Sequence, residues 1–224
     1  QYELVLPSGD DSAGDTVMFA GANVLQMERQ HEFRPEEFRF WVALHECTHR
    51  LQFTGVPWMR DHFLSLVSEL VEAAEPEPGR VRRLADEMRE ASREGRPIVD
   101  ESGIMGLLAT PDQRRLIERV QALMALLEGH GHVIMDRIGA RELVSQDRMS
   151  RVLKLRRQDP RARAFFRLTG LEMKMKQYEL GERFILGVER RAGFSALDVV
   201  WSGPEALPTL EEISHPEQWL ARVG

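Results

Sequence analysis

The sequence has little of what marks secreted, membrane-spanning or nucleic-acid-binding proteins. Cys47 is its single cysteine, so no intrachain disulfide can form, and we expect a reducing compartment and a cytoplasmic location. No apolar run approaches the ~20 residues of a membrane span, and no signal peptide is visible. The 30 basic residues are outnumbered by 36 acidic residues. We therefore expect neither a membrane nor a nucleic acid as partner, and the oligomeric state has no signature in the sequence.

Extended segments are predicted only near the amino terminus. Residues 1–34 contain two apolar runs, ELVLP and DTVMFAGANVLQMER, joined by the turn-rich linker SGDDSAGD. Beyond this segment apolar residues recur at helical spacing, and prolines next to capping or acidic groups mark helix starts. Helices are predicted from Pro35, from about Arg60 to Ala74, over 80–95, from Pro111, over 140–157, over 161–191 and from near Pro216. We predict a mainly α (α+β) fold, with a small β element in 1–34 and a mostly helical 35–224.

The first predicted helix carries the pattern H-E-x-x-H, formed by His45, Glu46 and His49. Residues four apart share one helix face, so the two histidines can hold a single Zn²⁺ ion. Glu46 is one step round the helix and can take a proton from a zinc-bound water during attack on a carbonyl. The pattern therefore predicts a zinc hydrolase with Glu46 as its base, because a purely structural site needs no base. Cys47 points away from both histidines and is predicted to be a packing residue.

A second polar cluster lies in LLEGHGHVIMD, residues 126–136, within the long predicted helix. Glu128, His132 and Asp136 are spaced by four residues and share one face. Two glycines inside the helix would let a metal-bearing partner helix approach closely. Glu128 would complete a His-His-Glu site and His132 a His-His-His site, and spacing does not choose between them. Asp136, or the residue of the pair that does not bind, could orient a ligand imidazole.

Four segments together resemble a known family: ALHECTHRLQF followed by PWMRDH, LLEGHGHVIMD, KMKQYELGERFI and VWSGPEALPTLEEISHPEQWLARV. They are similar to zincin-like, zinc-dependent hydrolases that are often labelled as associated with deazaflavin coenzyme biosynthesis. The resemblance spans the chain from about Phe19 to the C-terminus. It implies one zincin-like metallohydrolase domain over residues 1–224, with Zn²⁺ held by the H-E-x-x-H helix and no other cofactor.

The resemblance also bears on individual residues. The second motif of the family is commonly E-G, two further residues and Asp, so its acidic residue matches Glu128 and favours Glu128 as third ligand. His132 stands where the family has Asp. Tyr178 lies in the third matching segment and is the candidate group for stabilising a developing oxyanion. We expect a metallopeptidase with a peptide substrate; the alternatives are a non-catalytic zincin-like binding module and a zinc amidohydrolase acting on a small-molecule amide.

Overall fold

Helices dominate the computed structural model, which describes residues 17–73, 110–157 and 172–224. The α-helices in these ranges are α1 Gly21–His31, α2 Pro35–Thr54, α3 Met59–Ala73, α4 Pro111–Glu142, α5 Gln146–Arg157, α6 Glu172–Ala192, α7 Leu210–Ser214 and α8 Pro216–Val223. Two 3₁₀ segments, Phe194–Trp201 and Pro204–Ala206, lie between α6 and α7. The mainly helical fold is confirmed. The predicted run ELVLP, the predicted helix over 80–95 and the start of the one over 161–191 lie outside the described residues.

The chain divides into two compact units. One combines Gln1–His62 with Gln121–Gly224, and the other is Phe63–Val120. The first unit contains the H-E-x-x-H segment and the second polar cluster. In the second unit, Arg119 forms an ion pair of 3.5 Å with Glu69. The single-domain organisation over 1–224 stays a prediction.

The β element predicted in residues 1–34 is wrong for its second run, because Gly21–His31 forms α1. Val24 and Met27 are spaced three residues apart and both pack against the apolar cluster beneath this helix. Val24 is the only β-branched residue between Gly21 and His31, so local propensity does not favour a strand there. Helical spacing of the apolar side chains therefore outweighs the apparent alternation.

Helix α2 begins and ends where the sequence predicts. Pro35 is its first residue, and Glu36 and Glu37 follow in the first turn. Such acidic side chains favour the positive end of the helix dipole. Glu37 also accepts hydrogen bonds from the backbone N–H and the hydroxyl of Ser145, both at 2.7 Å, which ties this end of α2 to the turn before α5. Gly55 caps the other end.

Helix α4 contributes to two apolar clusters and is thereby held on two sides. Toward α6 and the first 3₁₀ segment it buries the small and aliphatic side chains of Ala122, Ala125, Leu126 and Val133. Toward α1, α2 and α5 it buries Met135, which packs with the aromatic side chains Phe33, Phe38 and Trp41. Burial of this kind is the main stabilising contribution in a helical protein. It fixes the segment of α4 that carries the polar cluster.

A close helix crossing forms where α4 meets α6. A Cβ atom added at Gly129 would lie 2.2 Å from the carbonyl carbon of Gly181, and one added at Gly181 would lie 1.8 Å from the carbonyl oxygen of Ala125. Backbone faces backbone here, so neither glycine can take a side chain without displacing a helix. The predicted close approach at the helix glycines is confirmed, and at Gly129 the approaching helix is α6.

No helix in the described ranges is both long enough and apolar enough to cross a bilayer.

Candidate metal centre

Three side chains from two helices bring their ligating atoms to one point. The Nε2 atoms of His45 and His49, both on α2, lie 3.1 Å apart. Oε2 of Glu128, on α4, lies 3.4 Å from the first of these nitrogens and 3.3 Å from the second. In the described part of the chain, this is the group of histidine, cysteine and acidic side chains that could hold a metal ion. The structure thus brings Glu128, rather than His132, up to the two histidines.

The spacing of these three atoms suits a tetrahedral zinc ion. Ligands bound at ~2.0–2.1 Å with tetrahedral angles lie about 3.3–3.4 Å from one another. The triangle of Nε2, Nε2 and Oε2 has edges of 3.1, 3.3 and 3.4 Å, close to one face of such a tetrahedron. In addition, Oε2 of Glu128 is buried and has no hydrogen-bond partner in the described structure. A buried carboxylate oxygen without a donor is costly, and a cation would remove that cost.

Gly131, on α4, leaves space for the two histidine rings of α2. A Cβ atom at this position would lie 3.3 Å from Nδ1 of His45 and 3.3 Å from Cε1 of His49. Both contacts are tighter than a side-chain carbon normally makes. The two helix glycines therefore serve different neighbours: Gly131 faces α2, whereas Gly129 faces α6.

The charges at the site attract one another across the two helices. Burial raises the pKa of Glu128, but its contacts with His45 and His49 outweigh burial and hold the pKa well below its usual range. Burial lowers the pKa of His49, but its contact with Glu128 outweighs burial, so the net effect raises the pKa. The hydrogen bond to Gln52 and the charge of Glu46 act in the same direction on His49. Glu128 is therefore ionised at neutral pH, as a metal ligand must be.

Gln52 lies behind His49 and was not identified by sequence reasoning as a site residue. Its side chain is 3% exposed. Its Oε1 lies 2.8 Å from Nδ1 of His49, and its Nε2 donates to the backbone oxygen of Leu127 at 3.0 Å and lies 3.1 Å from Nδ1 of His130. One signal could have found it: a glutamine at a position of α2 where the helical spacing calls for an apolar residue.

His130 also borders the site. Burial, followed by the charges of His49 and Arg137, lowers the pKa of His130 to about 4. Its ring packs edge-on against Trp201, with centroids 5.1 Å apart, and lies nearly parallel to Phe194. His130 is therefore neutral at physiological pH, and its surroundings are largely aromatic.

His132 and Asp136 lie in a different cluster. His132 is 1% exposed, and its Nε2 lies 3.7 Å from Oδ2 of Asp136 and 3.7 Å from Oε2 of Glu182 on α6. Asp136 accepts hydrogen bonds from Gln146 at 3.0 Å and Ser150 at 3.2 Å, both on α5. These two residues therefore face α5 and α6, and their roles as alternative ligand or orienting group stay predictions.

The other predicted site residues have different outcomes. Glu46 is half-buried on α2 and close enough to His49 for its charge to act on that ring. Tyr178 belongs to α6, but its side chain lies outside the described residues. Cys47 is exposed, so the prediction of a packing residue is wrong. It points away from both histidines as expected, but the face of α2 that it occupies is turned outward.

These features define a class of protein: a helical protein in which an H-E-x-x-H helix and a glutamate on a second helix form a site with the donor set of a zinc enzyme. The sequence matches the family described as zincin-like metallopeptidase over residues 1–220. Because the match covers nearly the whole chain, the chain belongs to the zincin-like metallopeptidase family. The predicted resemblance to zincin-like hydrolases is confirmed.

A solved structure is also similar. It is the crystal structure of "a putative hydrolase with a novel fold" from Chloroflexus aurantiacus, 32% identical in sequence, with a TM-score of 0.62. The similarity covers 91% of this chain and 57% of that chain, so this chain spans a little over half the length of its relative. No curated protein matches the chain. Neither match mentions deazaflavin, and that association stays a prediction.

Proposed function

We propose that this protein is a zinc-dependent hydrolase, a metallopeptidase that cleaves an amide bond of a peptide. His45, His49 and Glu128 would hold the zinc ion. The observation that carries the proposal is the triangle of ligating atoms, with edges of 3.1, 3.3 and 3.4 Å, contributed by an H-E-x-x-H helix and a second helix. Membership of the zincin-like metallopeptidase family supports a peptide substrate.

Three protein ligands favour a catalytic role over a structural one. Structural zinc sites are almost always closed by four protein ligands, whereas catalytic sites use three and keep a position for water or substrate. A set of two histidines and one glutamate is one of the known catalytic sets. A bound zinc ion supplies a Lewis acid, which lowers the pKa of water and polarises a carbonyl group.

Glu46 is the proposed base. Its charge acts on the ring of His49 and favours the protonated form of that ring. It would accept the proton of the attacking water at a carboxylate oxygen and then donate it to the departing amine nitrogen. Tyr178 remains the proposed donor to the developing oxyanion, a role supported by its place in the segment that resembles the family.

Replacement of Glu46 by Gln tests the proposal. The variant should keep zinc in equimolar amount by elemental analysis, because Glu46 is not a ligand. It should lose peptide cleavage by at least roughly 100-fold, the contribution of a general base. The substrate assay is mass-spectrometric profiling of a diverse peptide library incubated with the zinc-loaded full chain.

Glu36→Gln is the matched control, since Glu36 is an exposed acidic residue in the first turn of the same helix. That variant should cleave as the wild type does. Equal cleavage by Glu46→Gln and wild type would refute the role of Glu46. Wild-type protein without bound zinc would refute the metal site itself.

A further inference from the structure

Gln52 contacts three partners with one amide group. It is nearly fully buried between α2 and α4. The amide oxygen meets the ring of His49, and the amide nitrogen meets both the backbone oxygen of Leu127 and the ring of His130. Both rings could in principle donate or accept at Nδ1, because neutral imidazole carries one proton on either nitrogen. The tautomers therefore follow from the third partner, the backbone oxygen of Leu127, which cannot donate a hydrogen bond.

The backbone oxygen of Leu127 determines the orientation of the Gln52 amide. A backbone carbonyl oxygen can only accept, so the atom of Gln52 that lies 3.0 Å from it must be the amide nitrogen. The reversed amide would place its oxygen 3.0 Å from the carbonyl oxygen of Leu127, an unfavourable contact between two acceptors with no proton between them. The carbonyl of Leu127 therefore fixes which end of the Gln52 amide faces each histidine.

His49 then has one possible arrangement. The amide oxygen of Gln52 can only accept, so Nδ1 of His49 must carry the proton across the 2.8 Å contact. When the ring is neutral, its Nε2 is left with a free lone pair. That atom is the one that lies 3.3 Å from Oε2 of Glu128 and 3.1 Å from Nε2 of His45.

The same amide selects the opposite tautomer in His130. The second N–H of the Gln52 amide points at Nδ1 of His130 at 3.1 Å, so this nitrogen must accept. The proton of the neutral His130 ring therefore sits on Nε2. Hydrogen bonds to one buried amide thus select opposite tautomers in the two neutral rings.

We infer that Gln52 is a positioning residue that sets the tautomers of His49 and His130, turning the lone pair of His49 Nε2 toward the metal centre and leaving His130 as a donor from Nε2. The part that concerns zinc rests on the proposed function. Partners that orient a ligand imidazole in this way typically contribute 10- to 100-fold to metal affinity.

Ring-nitrogen NMR of ¹⁵N-histidine-labelled protein tests the inference directly. In wild-type protein, with or without zinc, His49 should be protonated at Nδ1 and His130 unprotonated at Nδ1. Gln52→Glu is the informative variant, because a carboxylate can only accept. His49 should keep its Nδ1 proton in this variant, whereas His130 should move its proton to Nδ1. Wild-type His49 without an Nδ1 proton, or His130 unchanged in Gln52→Glu, would overturn the inference.

Zinc affinity, measured by competition with a chelator, is the second readout. Gln52→Met keeps the side-chain length but removes the amide, and it should bind zinc roughly 10- to 100-fold more weakly than wild type. Thr48→Val is the matched control, since Thr48 is buried on the same helix and its hydroxyl donates to the backbone oxygen of Leu44 in its own turn. Wild-type affinity in Gln52→Met would overturn the zinc part of the inference. If wild type itself binds no zinc, the proposed function fails, and the NMR readout on metal-free protein still decides on the tautomers.

Discussion

Two polar clusters lie one helical turn apart on α4, and they differ in where their atoms point. At Glu128, three ligating atoms converge within 3.1–3.4 Å of one another, and the carboxylate oxygen has no hydrogen-bond donor among the described residues. At His132, Oδ2 of Asp136 and Oε2 of Glu182 each lie 3.7 Å from Nε2 of the ring. Asp136 is already satisfied by donors from α5.

The comparison shows that residue type and spacing alone do not bring ligating atoms together. Both clusters combine histidine with acidic side chains, and Glu128, His132 and Asp136 follow one another at intervals of four residues. The difference lies in the neighbouring helix. Helix α2 offers two imidazole nitrogens to Glu128, whereas α5 offers hydrogen-bond donors to Asp136. Unsatisfied acceptors that converge can hold a cation, and acceptors already bonded to protein donors cannot do so equally well.

The largest expected effect is a loss of zinc affinity when Glu128 is removed, compared with removal of His132. Glu128→Ala should lower zinc affinity by more than roughly 100-fold, since it removes a ligand and not merely a supporting contact. His132→Ala should keep zinc near wild-type occupancy. Elemental analysis after dialysis, with chelator competition for the affinities, measures both. Equal zinc occupancy in the two variants would remove the distinction between the clusters.

Substitution of the two helix glycines by alanine should give the next largest effects, on stability at Gly129 and on zinc affinity at Gly131. Gly129→Ala should lower the free energy of unfolding by ~3 kcal/mol or more, because the added carbon meets the backbone of Gly181. Gly131→Ala should leave the metal-free protein nearly as stable as wild type, since alanine is the better helix former by ~1 kcal/mol. It should weaken zinc binding about tenfold, because both histidine rings must shift.

Urea denaturation of metal-free protein and chelator competition separate these two outcomes. A Gly131→Ala variant with wild-type zinc affinity would contradict the tight fit of the rings against α4.

The stability of the metal-free protein should depend on pH through Glu128 and His49. The lowered pKa of Glu128 adds stability above pH ~4.3, which is lost as pH falls through the folded-state pKa. The raised pKa of His49 adds stability below pH ~6.5, which is lost as pH rises through the folded-state pKa. Their joint contribution is therefore largest between pH ~4.3 and ~6.5 and falls on the alkaline side as His49 loses its proton.

Denaturation of chelator-treated protein at pH 5.5 and pH 8 measures that fall. Glu128→Gln should show a smaller difference between the two pH values, because its side chain carries no charge. The same difference in both proteins would assign the effect to groups outside the site. Apparent zinc affinity should change in the opposite direction and rise with pH, since zinc and protons compete for His49.

The smallest expected effect is that of Asp136→Asn. The amide turns an NH₂ group toward Gln146 or Ser150, which are donors to Asp136, so the free energy of unfolding should fall by ~1 kcal/mol. Zinc affinity should not change. A tenfold loss of zinc affinity in this variant would instead make Asp136 an orienting group for the site.

Much of the helical framework is visible in the sequence because its signals are local. Pro35 with its acidic neighbours starts α2. Thr110 caps α4, because its hydroxyl oxygen accepts from the backbone N–H of Gln113 and the side-chain oxygen of Gln113 accepts from the backbone N–H of Thr110. The H-E-x-x-H pattern is local in the same sense, because two turns of one helix align both histidines.

What the sequence could not decide depends on contacts between distant segments. The choice between Glu128 and His132 rests on which helix packs on each side of α4, and helical spacing treats the two residues alike. Gln52 acquires its importance only because α4 brings Leu127 and His130 up to it. The sequence does not predict α1, because its apolar residues are few and the cluster that they complete lies on other helices.

The outward position of Cys47 has a practical consequence. It is the single thiol of the chain, and it follows Glu46 on α2 while facing away from the ligating atoms. A maleimide dye would therefore attach at one known position on the side of α2 opposite the candidate metal centre, with no engineered cysteine. Its emission would give a signal for titrating zinc into the wild-type protein.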